Sequence, residues 1–200
     1  MATNWTVCGQ WNRPFYLSPE DKCFYIYEYY SGQGFDYKNN QIVFNIKKPL
    51  DANGQSHKKN AIRQFAQFLI DTKWPANSAI TAASTSKPSS SPNYDARLEE
   101  VLSILKNSQN AIPIIKCFDA KNEITPSHIS GLTRNPYTAS QNIQLLNFNL
   151  PSNIKTLFIL DDVITSGSSF IAMKNLLKGK NPTLQVCGLF LAKATKTQQV

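Results

Sequence analysis

The chain has 200 residues, 42% of them apolar and 17% charged, with 21 Lys and Arg against 13 Asp and Glu for a formal charge of +8. That size and apolar share supply one substantial core, which excludes a disordered tail and a small disulfide-stapled scaffold. No apolar run approaches the roughly 20 residues that cross a bilayer, and the start Met-Ala-Thr-Asn-Trp-Thr has no basic stretch leading into an apolar one, so a cytoplasmic protein without a membrane partner is expected. Along the chain, Phe24–Tyr30 is an aromatic strand, Ser31–Gly34 a turn, and Gln41–Ile46 a second strand rich in β-branched residues. Asn60–Ile70 places Ala61, Ile62, Phe65, Phe68 and Leu69 on one face of a helix.

From Ser78 the pattern becomes an alternation of strand and helix. Ala79–Ala83 is a short strand, Ser84–Asn93 a Ser/Pro-rich loop, and Asp95–Lys106 a helix with Leu98, Val101, Leu102 and Leu105 on one side. Ile112–Phe118 is a strand, and Asp119–Asn153 a long loop with one or two small elements. Leu157–Leu160 is a buried strand, Ser169–Lys178 a helix and Leu184–Ala192 a last strand. The expectation is an α/β protein with a parallel, Rossmann-like sheet flanked by helices. Residues 1–75 would form an N-terminal extension or hood of strands plus one helix, packed on a core of residues 76–200. Cys8, Cys23, Cys117 and Cys187 are scattered without metal-ligand spacing and are read as free thiols.

One segment carries chemistry: Leu157-Phe158-Ile159-Leu160-Asp161-Asp162-Val163-Ile164-Thr165-Ser166-Gly167-Ser168-Ser169. A buried strand ends in two carboxylates, a hydroxyl-rich loop with a glycine follows, and a helix begins. At the carboxyl edge of a parallel strand, loop N–H groups and a helix N-terminus attract an anion. Gly167 permits close backbone approach to it. Adjacent carboxylates accept hydrogen bonds from vicinal hydroxyls and can orient a hydrated Mg²⁺. A ribose 5-phosphate needs both grips.

This run resembles the signature by which type I phosphoribosyltransferases bind phosphoribosyl diphosphate (PRPP), and the chain is most similar to their ComF-like bacterial branch. The resemblance implies that Asp161 and Asp162 hold the ribose hydroxyls and that Thr165, Ser166, Gly167, Ser168 and Ser169 hold the 5-phosphate. It counts Asp161, Asp162 and Thr165 as catalytic, with Mg²⁺ arriving on PRPP rather than by direct protein ligation. Threonine at 165, where many purine enzymes carry an acid/base aspartate, resembles orotate-type, ComF-like and regulatory members. The loop after the first core strand corresponds to a diphosphate site, offering Ser86, Lys87, Ser89 and Arg97. Asp119–Asn153 stands where the family has a mobile loop and contributes Arg134. The expected reaction transfers the phosphoribosyl group to a nitrogenous base with release of pyrophosphate, and replacing both Asp161 and Asp162 by Asn should abolish ribose-phosphate binding with the fold intact.

The alternative is a PRPP or nucleotide sensor without turnover. The aromatic N-terminal region is a candidate surface for a homodimer or another protein partner. Nucleic acid ranks last, because Lys47-Lys48 and Lys58-Lys59 are short pairs that read as solvated surface. GxGxxG and GxxxxGK[ST] are absent, and a hydrolase assembled from Ser166, His128 and Asp162 lacks the G-x-S-x-G elbow. Read as a ligand-site charge, the +8 matches a small molecule with several phosphates.

Overall fold

Apolar runs from both ends of the chain meet in one sheet. The computed structural model describes residues 5–9, 12–49, 55–110, 112–124 and 135–196. Its main strands are β1 (Thr6–Val7), β2 (Cys23–Ser31), β3 (Ser78–Ala82), β6 (Thr156–Ile164) and β7 (Gln185–Lys196), in the spatial order β1-β2-β7-β6-β3. All pairs are parallel except β1 with β2. Two short strands, β4 (Phe118–Ala120) and β5 (Ile143–Leu145), pair antiparallel as a separate ribbon. The described helices are α1 (Asn40–Lys47), α2 (Gln55–Ile70), α3 (Arg97–Lys106), α4 (Pro136–Asn142) and α5 (Ser168–Lys180).

The helices cover both faces of the sheet, as a parallel sheet requires. Trp74, just beyond α2, packs edge-on against Phe158, whereas Phe170 of α5 packs edge-on against Phe190. Phe158 is level with Cys187, so the two-residue period of β7 sets Phe190 on the opposite face. Leu157, Ile159, Leu160, Leu191 and Ala192 are fully enclosed between these layers.

Three expectations are corrected. Gln41–Ile46 is not a strand but the body of α1. Its Val43 and Ile46 are buried on one flank together with Asn40. The Asn40 side chain accepts from the Tyr30 N–H (2.9 Å) and donates to the carbonyls of Tyr30, Gln33 and Gly34, locking the helix start onto the end of β2. Tertiary anchoring thus overrides the weak β preference of the segment. Ile112–Phe118 is strand only from Phe118 onward; before it, Ile114 makes a single parallel bridge to Ile80, and Pro113 has no N–H to extend the ladder. The strand over Leu157–Leu160 does not stop at the acids but runs through them to Ile164.

Strand β2, expected in an extension, is hydrogen-bonded beside β7 from Cys23↔Gly188 to Ser31↔Lys196. All four cysteines are free and buried, and burial pushes the Cys8 and Cys117 thiols up to about 11. No helix among the described residues is long and apolar enough to cross a membrane.

Candidate functional site

The parallel strands deliver their carboxyl ends to one edge, where the turn after β2, the Ser-rich loop after β3 and the loop after β6 all emerge. The acids sit in the last turns of the β6 ladder. Rungs join Asp161 to Phe190 and Val163 to Ala192, while the Asp162 N–H donates instead to the Asp161 carboxylate at 2.8 Å. A local departure of this kind re-aims side chains at a strand end.

The two carboxylates are electrostatically unlike. Asp162 is 5% exposed and takes two bonds from the Arg97 guanidinium, from Nε at 3.0 Å and Nη2 at 2.7 Å, with the Lys47 ammonium at 3.6 Å. Burial works against its charge, but Lys47 and Arg97 outweigh it and hold Asp162 well below the usual carboxylate range. Asp161 is half-buried, and burial together with the charge of Asp162 raises it to about 7. Arg97, the first residue of α3, also donates from Nη1 to Asp95 at 2.6 Å. Asp95 in turn takes the ammonium of Lys58 at 2.7 Å. Burial opposes the Arg97 charge, yet Asp162 and Asp95 raise its pKa further, so it stays a cation.

Lys47, Lys58 and Asp95 were not among the sequence-derived site residues. The structure corrects the reading of Lys58 as solvated surface, since it is 2% exposed, whereas Lys47 is exposed, as expected, and still reaches Asp162. A signal was present for Lys58: it falls three and four residues before Ala61 and Ile62, on the buried face of α2.

After β6, Thr165 is exposed, Ser166 and Ser169 are half-buried and Ser168 is buried. The Ser168 N–H donates to the Ser166 Oγ at 3.4 Å, and the Ser166 hydroxyl donates to the Ser168 Oγ at 3.2 Å. Gly167 caps α5 with φ +82° and no side-chain bond of its own, and the Ser168 N–H of the first turn is taken by Ser166. The observed close approach to Gly167 comes from the N-terminal segment: a Cβ there would lie 2.9 Å from Leu17 Cδ2. The Tyr16 N–H donates to the Ser166 carbonyl at 2.9 Å, and Asp21, which accepts from Ser18, is paired with Lys174 of α5. Residues 14–21 therefore strap the loop to its helix.

The Ser-rich loop is held by acids from the β4 side. Ser89 donates to Asp119 through its N–H (2.9 Å) and hydroxyl (2.5 Å), Lys87 pairs with Glu123 at 2.8 Å, and the Ser86 carbonyl accepts from Ile124. Of the residues assigned to a diphosphate, Arg97 is brought to Asp162, whereas Ser86, Lys87 and Ser89 are joined to residues 119–124. Arg134 and His128 lie outside the described residues.

A cavity of about 400 Å³ lined by Leu145, Phe148, Leu150 and Leu184 opens at the opposite, amino edge of the sheet and takes no part in this cluster. Among the described residues no three or more His, Cys, Asp or Glu side chains form a metal-binding group. Asp161, which no cation touches directly among the described residues, is the carboxylate whose chemistry fits the waters of a hydrated magnesium ion.

Compared with protein-family models and with curated proteins, the chain matches none.

Proposed function

We propose that the protein binds PRPP at the carboxyl edge of the sheet and transfers its phosphoribosyl group to a nitrogenous base. The observation that carries this reading is the continuous run of β6, the Asp161–Asp162 pair, the Thr165–Ser169 loop and the N-terminus of α5. The family resemblance of that run, and the Ser-rich loop leaving the neighbouring parallel strand β3, support it.

In this reading the 5-phosphate is held by the Ser166–Ser169 backbone and hydroxyls, which fixes the far end of the ribose. Asp161, the carboxylate without a cationic partner in direct contact, accepts from the ribose hydroxyls. Asp162 stays bound to Arg97 and supports the positive charge that develops at C1. A ring nitrogen of the acceptor donates its lone pair to C1 as the C1–O bond breaks, and the electron pair leaves with pyrophosphate; any proton on that nitrogen passes to solvent. Magnesium, when bound with PRPP, neutralises the leaving diphosphate. Catalysis is positioning and electrostatic stabilisation.

Titration calorimetry with Mg²⁺–PRPP tests the reading. Wild-type protein should bind, and Asp161→Asn should weaken binding by at least about tenfold, the value of one or two lost charge-assisted bonds. Equal affinity in the two proteins would remove the assignment. Asp162→Asn is the poorer probe: it removes the charge that Arg97 pairs with through two nitrogens and leaves Asp95 as its partner, so lost binding there mixes with lost stability. A second reading, binding without turnover, is favoured by one observation: Asp119 and Glu123 already occupy the donors of Ser89 and Lys87. Pyrophosphate release with a panel of bases separates the two readings, and binding with no release selects the sensor.

A further inference from the structure

The segments that lead into β3, β6 and β7 meet at the amino edge of the sheet, opposite the acid pair. Hydrogen bonds link five scattered lysines along that edge. The Asn110 side chain donates to the carbonyls of Ile70 and Thr72, both at 2.6 Å, and ties the end of α3, with Lys106, to the turn that carries Lys73. Four residues beyond Lys73, the Asn77 carbonyl accepts from the Lys155 N–H at 2.8 Å, and the Lys155 carbonyl accepts from the Gln185 N–H at 2.9 Å. Leu184, next to Gln185, lines the amino-edge cavity together with Lys180, which ends α5 just after Lys178.

Segments 70–77, 104–110, 150–156 and 177–185 hold these five lysines against one acid, Asp71, which accepts from Gln67. The difference of four charges is half of the formal surplus of +8. Lys73, Lys106, Lys155 and Lys180 are exposed, and none of the five lysines has a carboxylate within 4 Å among the described residues. Helix C-termini favour lysine in the last turn, and Lys178 serves α5 in this way by donating to the Pro182 carbonyl at 2.6 Å. Lys73 and Lys155 stand outside any helix, so the dipole does not account for them. A row of unpaired ammonium groups attracts a polyanion.

The cavity of about 400 Å³ beside Lys180 narrows the choice of polyanion. Phe148, Leu150 and Leu184 line it with Asn181, whose side-chain oxygen accepts from Thr183 and whose NH₂ has no partner among the described residues. An aromatic ring, apolar walls and an amide donor are the groups that take an unstacked nucleobase. A surface that lies on a membrane needs protruding apolar anchors, and these segments have none: the large apolar side chains exposed among the described residues are Val7, Phe15, Phe35, Phe44 and Tyr137.

We propose that the amino edge binds a single-stranded polynucleotide, with phosphates along Lys106, Lys73, Lys155 and Lys180 and one base in the cavity against Phe148. The surface is independent of the ribose-phosphate reading of the opposite edge. Folding gathers these lysines from four separate segments, so no dense Lys/Arg run announces them.

The test is fluorescence anisotropy of a labelled oligothymidine of about 12 nucleotides with the full-length protein. Binding should saturate, and should weaken roughly fiftyfold between about 50 and 200 mM salt, the counterion release of four phosphate contacts on a single strand. Lys155→Gln combined with Lys180→Gln should lower the salt slope by about 1.4, the share of two contacts. Lys59→Gln, exposed on α2, should change nothing. A fully abasic strand of the same length should bind about tenfold more weakly with the same slope, and Phe148→Leu, which keeps the apolar packing, should erase that difference. No saturable binding at about 50 mM salt, equal affinity for the abasic strand, an unchanged slope in the double lysine variant, or binding to phosphatidylserine vesicles in place of the oligonucleotide would overturn the proposal.

Discussion

Two neighbouring carboxylates in one strand reach opposite protonation behaviour because only one of them meets a guanidinium. Asp162 is ionised against Arg97 and Lys47, while Asp161 bears the desolvation and the repulsion. The consequence for stability has opposite signs at the two sites. Asp162, with its pKa lowered, contributes stability above the unfolded value of about 4 and loses it as pH falls below. Asp161, raised to about 7, binds a proton in the folded state that the unfolded chain has released, so its contribution declines as pH rises from about 4 to 7. Asp161→Asn should therefore melt about 2–4 °C higher than wild type at pH 8, with the gain shrinking toward pH 4. Calorimetric scans at both pH values decide it, and a gain that grows in acid would refute the assignment. A pair destabilised by the ionisation of one of its own carboxylates is where function and stability part company.

At the scale of elements, the Ser-rich loop is a tethered segment rather than a free connector. Asp119 takes both Ser89 donors, and those bonds, against its burial, hold its carboxyl below the usual range. Asp119→Ala should speed amide exchange at Ser89 and its neighbours by about tenfold, the effect of releasing one or two hydrogen bonds. Unchanged exchange would show that another contact sets the loop. Much of this layer was legible in the sequence, because α2, α3 and α5 repeat apolar residues at helical spacing and β3, β6 and β7 are short apolar runs. The order of acids, hydroxyls and glycine after β6 was legible for the same reason: it is local. What escaped reading is non-local. The segment 41–46 has the β-branched content of a strand, and only the bonds of Asn40 to the end of β2 make it a helix. Lys58 looks solvated beside Lys59 until Asp95 arrives from another element, and nothing near Arg97 in the chain announces Asp162.

The whole molecule is closed by its first elements. Strand β2 covers one side of β7, and residues 14–21 strap the loop after β6, so the segment before α2 completes the sheet and braces the site. A chain starting at residue 55 would expose the β7 edge and the faces that Cys23, Tyr25 and Ile46 cover. It should show no cooperative thermal transition and should bind a hydrophobic dye, whereas a sharp transition would make residues 55–196 self-sufficient.

The pairing of residue 23 with residue 188 also sets a timetable. As the chain leaves the ribosome, β2 emerges well before its parallel neighbour β7, which follows α5. Closing a loop of that length comes late in folding. Through most of synthesis an aromatic strand stands with one edge unmatched. A chain cut short before residue 185 leaves both β2 and β6, the strand of Asp161 and Asp162, without the neighbour that joins them.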